Sequence, residues 1–417
     1  MTFGLQSWLW VDFSMLRLSS AASGERVAVV DLKDLEALQV KALRRYLARE
    51  KSCSPFQIRI FGPHPLEDER PLDAAEDLQV MILSPLPADE LRDADFLAAC
   101  GAGRVDEVRR FLEELQDPGR VSGLTKAAQH DHVEVVRLLL EAFASPDAED
   151  GEGFTPLHVA ARHGCVNVLK ALLEARAELD ASDPQEMTPL HLAASNGCEE
   201  VVAILLESKA SQEVMYVTPM HLAAARGHSR IVGMLQMPSG PAHVLTPCHL
   251  AARGGHAEVV GLLLDRRAEV NARAGVSTTA LHQAAWRGQI DVAQLLLSRK
   301  ADPDVAEQQQ LRPLHVAARN GHVAVVRCLL DAAAAVNVTD RMQETALHKA
   351  ASHGHGKVVS LLLDFGAHRE LPDQHGHTPL QLAGSTEVFR LLAAQAADVA
   401  ARNVRLSGMK RAKRSQL

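Results

Sequence analysis

Aromatic side chains make up only 4% of the 417 residues, too few to stack a ring-based core or to wall a ligand-enclosing barrel. The core must come from Ala, Leu and Val, which suits thin helices packed at close range. The six cysteines, Cys53, Cys100, Cys165, Cys198, Cys248 and Cys328, lie far apart with no CxxC pair. That spacing excludes a zinc site and a compact disulfide framework, and a reducing cytoplasmic compartment is the simplest reading. No stretch approaches about 18 consecutive apolar residues, so no membrane span is predicted. Residues 1–14 lack a positive n-region and a small-residue cleavage site, which predicts no signal peptide. A net charge of −8 offers no global attraction to nucleic acid or to an anionic membrane. Absent too are GxSxG, HExxH and kinase signatures. Gly354-His355-Gly356-Lys357 has Ala351 and Val358 where a phosphate loop needs Gly and Ser or Thr. The reading is therefore non-enzymatic, with no catalytic residue, no cofactor and no metal site.

What the chain has is repetition, within a hydrophobic content of 47% that predicts folding. Thr155-Pro156-Leu157-His158 recurs as Thr188-Pro189-Leu190-His191, Thr218-Pro219-Met220-His221, Thr246-Pro247-Cys248-His249, Thr279-Ala280-Leu281-His282, Arg312-Pro313-Leu314-His315, Thr345-Ala346-Leu347-His348 and Thr378-Pro379-Leu380-Gln381. The starts are 33, 30, 28, 33, 33, 33 and 33 residues apart, a period that signals a helical solenoid. In each unit the Thr is placed to cap a helix whose first position takes Pro without losing a hydrogen bond. An Ala-Ala pair then allows close helix approach, and Gly164, Gly197, Gly227, Gly255, Gly288, Gly321 and Gly354 end the helix where a positive φ is needed. A second, Val- and Leu-rich helix follows, which only the next unit can cover.

These units resemble the ankyrin repeat family, and the resemblance implies a mainly α solenoid of about ten repeats including atypical end units. Leu124-Thr125-Lys126-Ala127-Ala128 and the segment from Asp95 read as earlier copies. Met237-Pro238-Ser239-Gly240-Pro241, where the spacing contracts to 28 residues, predicts a shortened second helix and a local bend. Twelve of the twenty histidines are absorbed by the repeat, seven at the TPLH position and five (His132, His228, His256, His322, His355) at the turn, so they read as structural hydrogen-bonding groups rather than ligands. Glu186, Tyr216, Val244, Ser277, Gln310 and Gln343 stand where the family favours Gly, and the hairpin tips there are expected to turn less tightly.

Ahead of the repeats the period changes to two. Met15-Leu16-Arg17-Leu18 and Arg26-Val27-Ala28-Val29-Val30 read as a hairpin, a helix is expected over 34–50, and strands follow at Gln57-Ile58-Arg59-Ile60-Phe61 and around Val80. With Ile60-Phe61-Gly62 and Leu66-Glu67-Asp68-Glu69-Arg70-Pro71-Leu72, this order resembles a ubiquitin-like domain and implies a small α+β β-grasp fold. The last strand runs into Ser84-Pro85-Leu86-Pro87, so there is no Gly-Gly end for conjugation. The expected organisation is a flexible extension over 1–14, the β-grasp domain over 15–84, a linker over 85–93, the solenoid over 94–401 and a basic disordered tail over 402–417.

The resemblance implies a protein-binding scaffold or adaptor whose specificity lies in residues the repeat does not prescribe. Those after the Ala-Ala pair, which in ankyrin folds line the concave face, include Arg226, Arg253, Trp286, Arg287 and Arg319. The arginines of this row read either as solvated helix ends, where the family commonly carries Arg, or as a surface for protein partners with acidic side chains, since guanidinium forks pair with carboxylates. Trp286 reads either as an interface anchor or as packing beneath the next hairpin. The tip residues Met187, Met215, Tyr216, Leu311 and Met342 are further candidate contacts, with inter-tip packing as the other reading. A monomer in the cytoplasm is expected, with the basic tail read either as solvated chain or as a nuclear import signal. A second functional reading is a ubiquitin-pathway adaptor, in which the N-terminal domain docks on degradation machinery and the repeats select substrate.

Overall fold

The computed structural model describes residues 7–11, 16–20, 26–30, 45, 47–48, 55, 58–61, 78–82, 90–114, 122–213, 217–238 and 245–393. The chain divides into two compact units, Met1–Ser211 and Gln212–Leu417.

The first unit opens with five strands, β1 (Ser7–Val11), β2 (Leu16–Ser20), β3 (Arg26–Val30), β4 (Ile58–Phe61) and β5 (Leu78–Ile82). They form one sheet in the order β3-β2-β1-β5-β4, every neighbouring pair antiparallel. Trp10 is paired with Ser19 on one side and with Gln79 on the other. The Ser-Trp-Leu-Trp-Val run has the aromatic and β-branched composition of a strand. It forms β1 inside the segment read from sequence as an extension. With β1 lying between the hairpin and β5, the sheet is one strand wider than the expected arrangement, and it does not support a ubiquitin-like β-grasp fold. Of the helix expected over 34–50, the described residues are Arg45, Leu47 and Ala48, all helical, with Leu47 and Ala48 buried.

From Glu90 onward the described chain is helical, its one isolated β-bridge joining Ala274 to Thr278. Four helix pairs complete the first unit: Glu90–Gly101 with Val105–Glu113, Gly123–Gln129 with Val133–Glu141, Pro156–His163 with Val166–Glu174, and Pro189–Asn196 with Glu199–Glu207. Five occupy the second: Pro219–Arg226 with Ser229–Met234, Pro247–Gly254 with Ala257–Asp265, Ala280–Arg287 with Ile290–Ser298, Pro313–Arg319 with Val323–Asp331, and Ala346–Ser352 with Gly356–Asp364. Within each unit the first helix of a pair packs on the first helices of its neighbours. Both alanines of the pairs Ala160-Ala161, Ala251-Ala252, Ala284-Ala285 and Ala317-Ala318 are fully buried there. Their methyl-sized side chains are what lets adjacent backbones approach.

The Thr–His pair is a hydrogen-bonded cap that also ties one repeat to the next. His158 Nδ1 accepts from the Thr155 backbone N–H at 3.3 Å and lies 2.8 Å from the Thr155 hydroxyl, while Nε2 is 3.0 Å from the Met187 carbonyl oxygen. An amide can only donate and a carbonyl only accept, so the ring is neutral with its proton on Nε2. The same two-sided arrangement holds for His282, between Thr279 and Leu311, and for His348, between Thr345 and His377. The turn histidines bond in the opposite direction along the chain: His132, His256, His322 and His355 place Nε2 2.9–3.1 Å from the carbonyls of Gly101, Ala225, Trp286 and Arg319.

All seven turn glycines have positive φ. At Gly288 an added Cβ would also lie 2.6 Å from the His322 ring, so the turn needs glycine for space as well as for conformation.

The hairpin tips correct one expectation. Glu186, Ser277, Gln310 and Gln343 have φ of 61°, 67°, 62° and 57°, the left-handed region that Gly153 and Gly376 occupy at the corresponding tips. The turn at Ser277 is closed by the backbone pair Ala274 and Thr278, and the other three by an acidic side chain at their start. Asp183 Oδ1 accepts the amides of Gln185 and Met187, Glu307 Oε1 those of Gln309 and Leu311, and Asp340 Oδ1 those of Met342 and Glu344. These bonds hold the backbone in a conformation unfavourable to a side chain, at a cost of about 1 kcal/mol per residue. Gln310→Gly and Gln343→Gly are each expected to stabilise the chain by up to about 1 kcal/mol in urea unfolding. A loss of stability in both would show that the two side chains hold the tips. Tyr216 and Val244 lie outside the described residues.

The contraction near residue 237 is visible as a helix of six residues, Ser229–Met234, where eight of the second helices have nine. Its last carbonyls are satisfied from the next repeat: Arg266 donates to Val232 O at 2.6 Å and to Leu235 O at 2.8 Å. In the final repeat Pro379–Leu382 makes only a turn. Gly384 replaces the second alanine there because its amide bonds Ala351 O at 2.9 Å and a Cβ would come within 2.4 Å of Ser352 O.

Candidate functional site

In the second unit, Arg226, Arg253, Trp286, Arg287 and Arg319 all fall in the last turn of a first helix, just before the left-handed turn. The turn histidines set their backbones, since His322 bonds Trp286 O and His355 bonds Arg319 O. Trp286 is 44% exposed, so its ring is not packed beneath the next hairpin. Two guanidiniums lie against its ring, Arg253 at 5.1 Å and Arg287 at 4.8 Å from the centroid. Cation–π contacts of this kind hold both the ring and the cations in place.

Trp286 stands beside a cavity of about 440 Å³ lined also by Arg253, Arg319, Leu245, Gln283, Leu311 and Val316. Gln283 and Val316 precede Trp286 and Arg319 by one helical turn, and that spacing of three was the sequence signal for their sharing a face. Leu311 is one of the apolar tip residues read from sequence as candidate contacts, whereas Leu245 comes from the segment before a helix and had no such signal. Three cavity-lining groups are already committed. His282 and His315 are pushed down to about 4 by burial, so they are neutral near pH 7. His282 holds Thr279 N–H and Leu311 O, and His315 holds Arg312 N–H and Val338 O. Glu307 is 8% exposed, with its Oε1 on two backbone amides. Neither imidazole is available as a base, and the Glu307 oxygen is occupied within its own hairpin.

Arg253, Arg287 and Arg319 form no ion pair among the described residues. Of the other sequence candidates, none among the described residues lines this cavity. Arg226 is exposed but does not line it. Met342 is 46% exposed at a tip, and its carbonyl accepts the Gln374 amide at 3.1 Å, which links neighbouring tips. Met187 belongs to the first unit, is half-buried, and gives its carbonyl to His158. Met215 and Tyr216 lie outside the described residues. Among the described residues no three His, Cys, Asp or Glu side chains converge to hold a metal, and no helix is long and apolar enough to cross a membrane.

No curated protein matches this chain. Family profiles do. One described as ankyrin repeats (3 copies) matches residues 96–183, 177–243, 220–307 and 314–403, and one described as ankyrin repeats (many copies) matches 288–330. The matches begin after the five-stranded sheet and no ubiquitin-like family is among them. Together they cover well over half the sequence and coincide with the capped helix pairs, so the chain belongs to the ankyrin repeat family.

Proposed function

We propose that the chain is a non-enzymatic protein-interaction scaffold that grips partner proteins on the face of its second unit built from Arg253, Trp286, Arg287 and Arg319. One observation carries this reading: a large aromatic ring left exposed beside a cavity and held by two arginines. Trp and Arg are the side chains over-represented at energetic centres of interfaces, and a pre-positioned anchor loses little entropy on binding. Partners captured by crosslinking the intact chain in its native cells supply the ligand for the test. Trp286→Ala combined with Arg287→Ala is expected to weaken their rebinding by about 2 kcal/mol or more, roughly 30-fold, with the thermal midpoint unchanged. Undiminished binding, or collapse of the fold, removes the proposal. The repeat face is taken to act in a monomer in the cytoplasm, and the Lys410-Arg411-Ala412-Lys413-Arg414 run makes nuclear entry part of the same proposal.

A second reading, an adaptor of the ubiquitin pathway, rests on the sequence resemblance of residues 15–84 alone, because the five-stranded sheet does not support a ubiquitin-like fold. A pull-down from cell extract with the full chain, compared with a chain lacking residues 1–84, tests it. Degradation components lost with the truncation support an adaptor, and equal recovery removes that reading.

A further inference from the structure

Arg253 and Arg287 hold two positive charges against one ring, Arg319 adds a third along the same cavity, and none has a carboxylate partner among the described residues. The one carboxylate lining the cavity, on Glu307, can offset at most one of the three positive charges. His282 and His315 are neutral, and the Glu307 oxygen that caps its hairpin is turned to backbone amides. Elsewhere in this unit a comparable cation is neutralised inside the protein: Lys349 is paired with both Asp340 and Glu344. The Arg253, Arg287 and Arg319 charges are thus available to an external anion.

Spacing then restricts the anion's carrier. Arg253, Trp286 and Arg319 hold the same position in consecutive repeats, and packed helices stand about 8–10 Å apart. An extended peptide rises about 3.3 Å per residue, so about three residues cover one repeat. A cavity of 440 Å³ beside Trp286 has room for one large apolar side chain between the flanking arginines.

We propose that this face takes an extended peptide segment in which one apolar residue fills the cavity beside Trp286, with acidic residues about three positions to either side pairing with Arg253, Arg287 and Arg319. It rests on the reading of the same face as a protein-binding surface. Both carboxylate-rich and phosphorylated segments carry suitable charge. The segment proposed is the carboxylate one, because an Arg fork matches a single carboxylate in two parallel hydrogen bonds and the arginines are spread along the stack rather than gathered on one point.

The probe is a displayed library of random peptides of about twelve residues selected on the intact chain. Selected peptides are expected to share an apolar residue flanked by Asp or Glu at the stated spacing. Binding of the best of them, made synthetically, is expected to fall at least 30-fold with Arg253→Glu plus Arg287→Glu, and several-fold between about 50 and about 500 mM NaCl. Thermal unfolding of each variant verifies the fold. Enrichment of neutral or basic peptides that still lose binding with Trp286→Ala would overturn the acidic segment while leaving the binding face intact. Peptides indifferent to Trp286→Ala, or no enrichment at all, would overturn both. A singly phosphorylated peptide that outcompetes every selected acidic one would overturn the carboxylate assignment alone.

Discussion

Acidification from about pH 7 to about pH 5 is expected to lower the thermal midpoint of the repeats by on the order of 10 °C, well before the carboxylates titrate. The cause is the set of capping histidines. Burial lowers the pKa of His158, His249, His282, His315 and His348, the last partly opposed by the His377 carbonyl, and carries His282 and His315 from 6.5 to about 4. The folded chain therefore binds fewer protons than the unfolded chain between those values, so this stability is present above pH 6.5 and is lost as pH falls toward 4. For a shift of this size one histidine withdraws roughly 2 kcal/mol by pH 5, a substantial part of a typical total of about 5–15 kcal/mol. Protonation also places an N–H donor on Nδ1 where the Thr279 or Arg312 amide already donates.

The chain contains its own non-titrating substitute. In the last unit Gln381 stands in the histidine position, and its Oε1 accepts the Thr378 amide at 2.8 Å. His282→Gln with His315→Gln is thus expected to flatten the pH dependence while lowering the midpoint near pH 7, since glutamine replaces the acceptor but not the Nε2 bond to the next repeat. A midpoint that does not change between pH 7 and pH 5 in the unsubstituted chain would rule out the linkage.

Lys349→Met is expected to cost about 3–5 kcal/mol, the largest effect of any single substitution considered, read as a lower urea midpoint with a similar slope. Lys349 is 12% exposed, and its Nζ lies 2.8 Å from Asp340 Oδ2, a side chain only 4% exposed; Nζ also contacts Glu344. Burial alone would lower the lysine pKa, but hydrogen bonds to the two carboxylates raise it above the usual lysine value. Removing the ammonium leaves the buried Asp340 carboxylate without its counter-charge, and that penalty exceeds the loss of attraction itself. Asp340→Asn in the same chain keeps the Oδ1 acceptor for Met342 N–H and Glu344 N–H while removing the charge, so the double variant is expected to recover much of the loss. If both variants unfold alike, the cost comes from lysine packing and not from a buried charge.

The repeated residues were legible because each acts within a few positions of itself. Thr155 caps through His158, Pro156 fills the first helical position and Gly164 supplies a positive φ of 74°, all inside one helix. The shortened helix at 229–234 was legible for the same reason, as the prolines beyond it end the pattern. The tips were misread because a favourable residue was expected where the structure uses a closing bond instead. Gln310 and Gln343 have no intrinsic preference for positive φ, and the carboxylates three residues earlier impose it. Arg266 gave no signal either, since the carbonyls it caps belong to the preceding repeat. For the site, the row of arginines and Trp286 could be proposed from their place in the repeat. Leu311 could be proposed as an apolar tip, but Leu245 could not, because nothing near it in sequence marks it as cavity-lining.

The amino-acid sequence alone determined the unit, its period and the helix pair that each copy makes, since caps, turns and apolar faces arise from neighbours along one chain. Stacking decided the rest. Which unrepeated side chains share a cavity, which cations lack a carboxylate and which histidines are held neutral depend on side chains about 33 positions apart being brought together, and that proximity exists only after the copies pack.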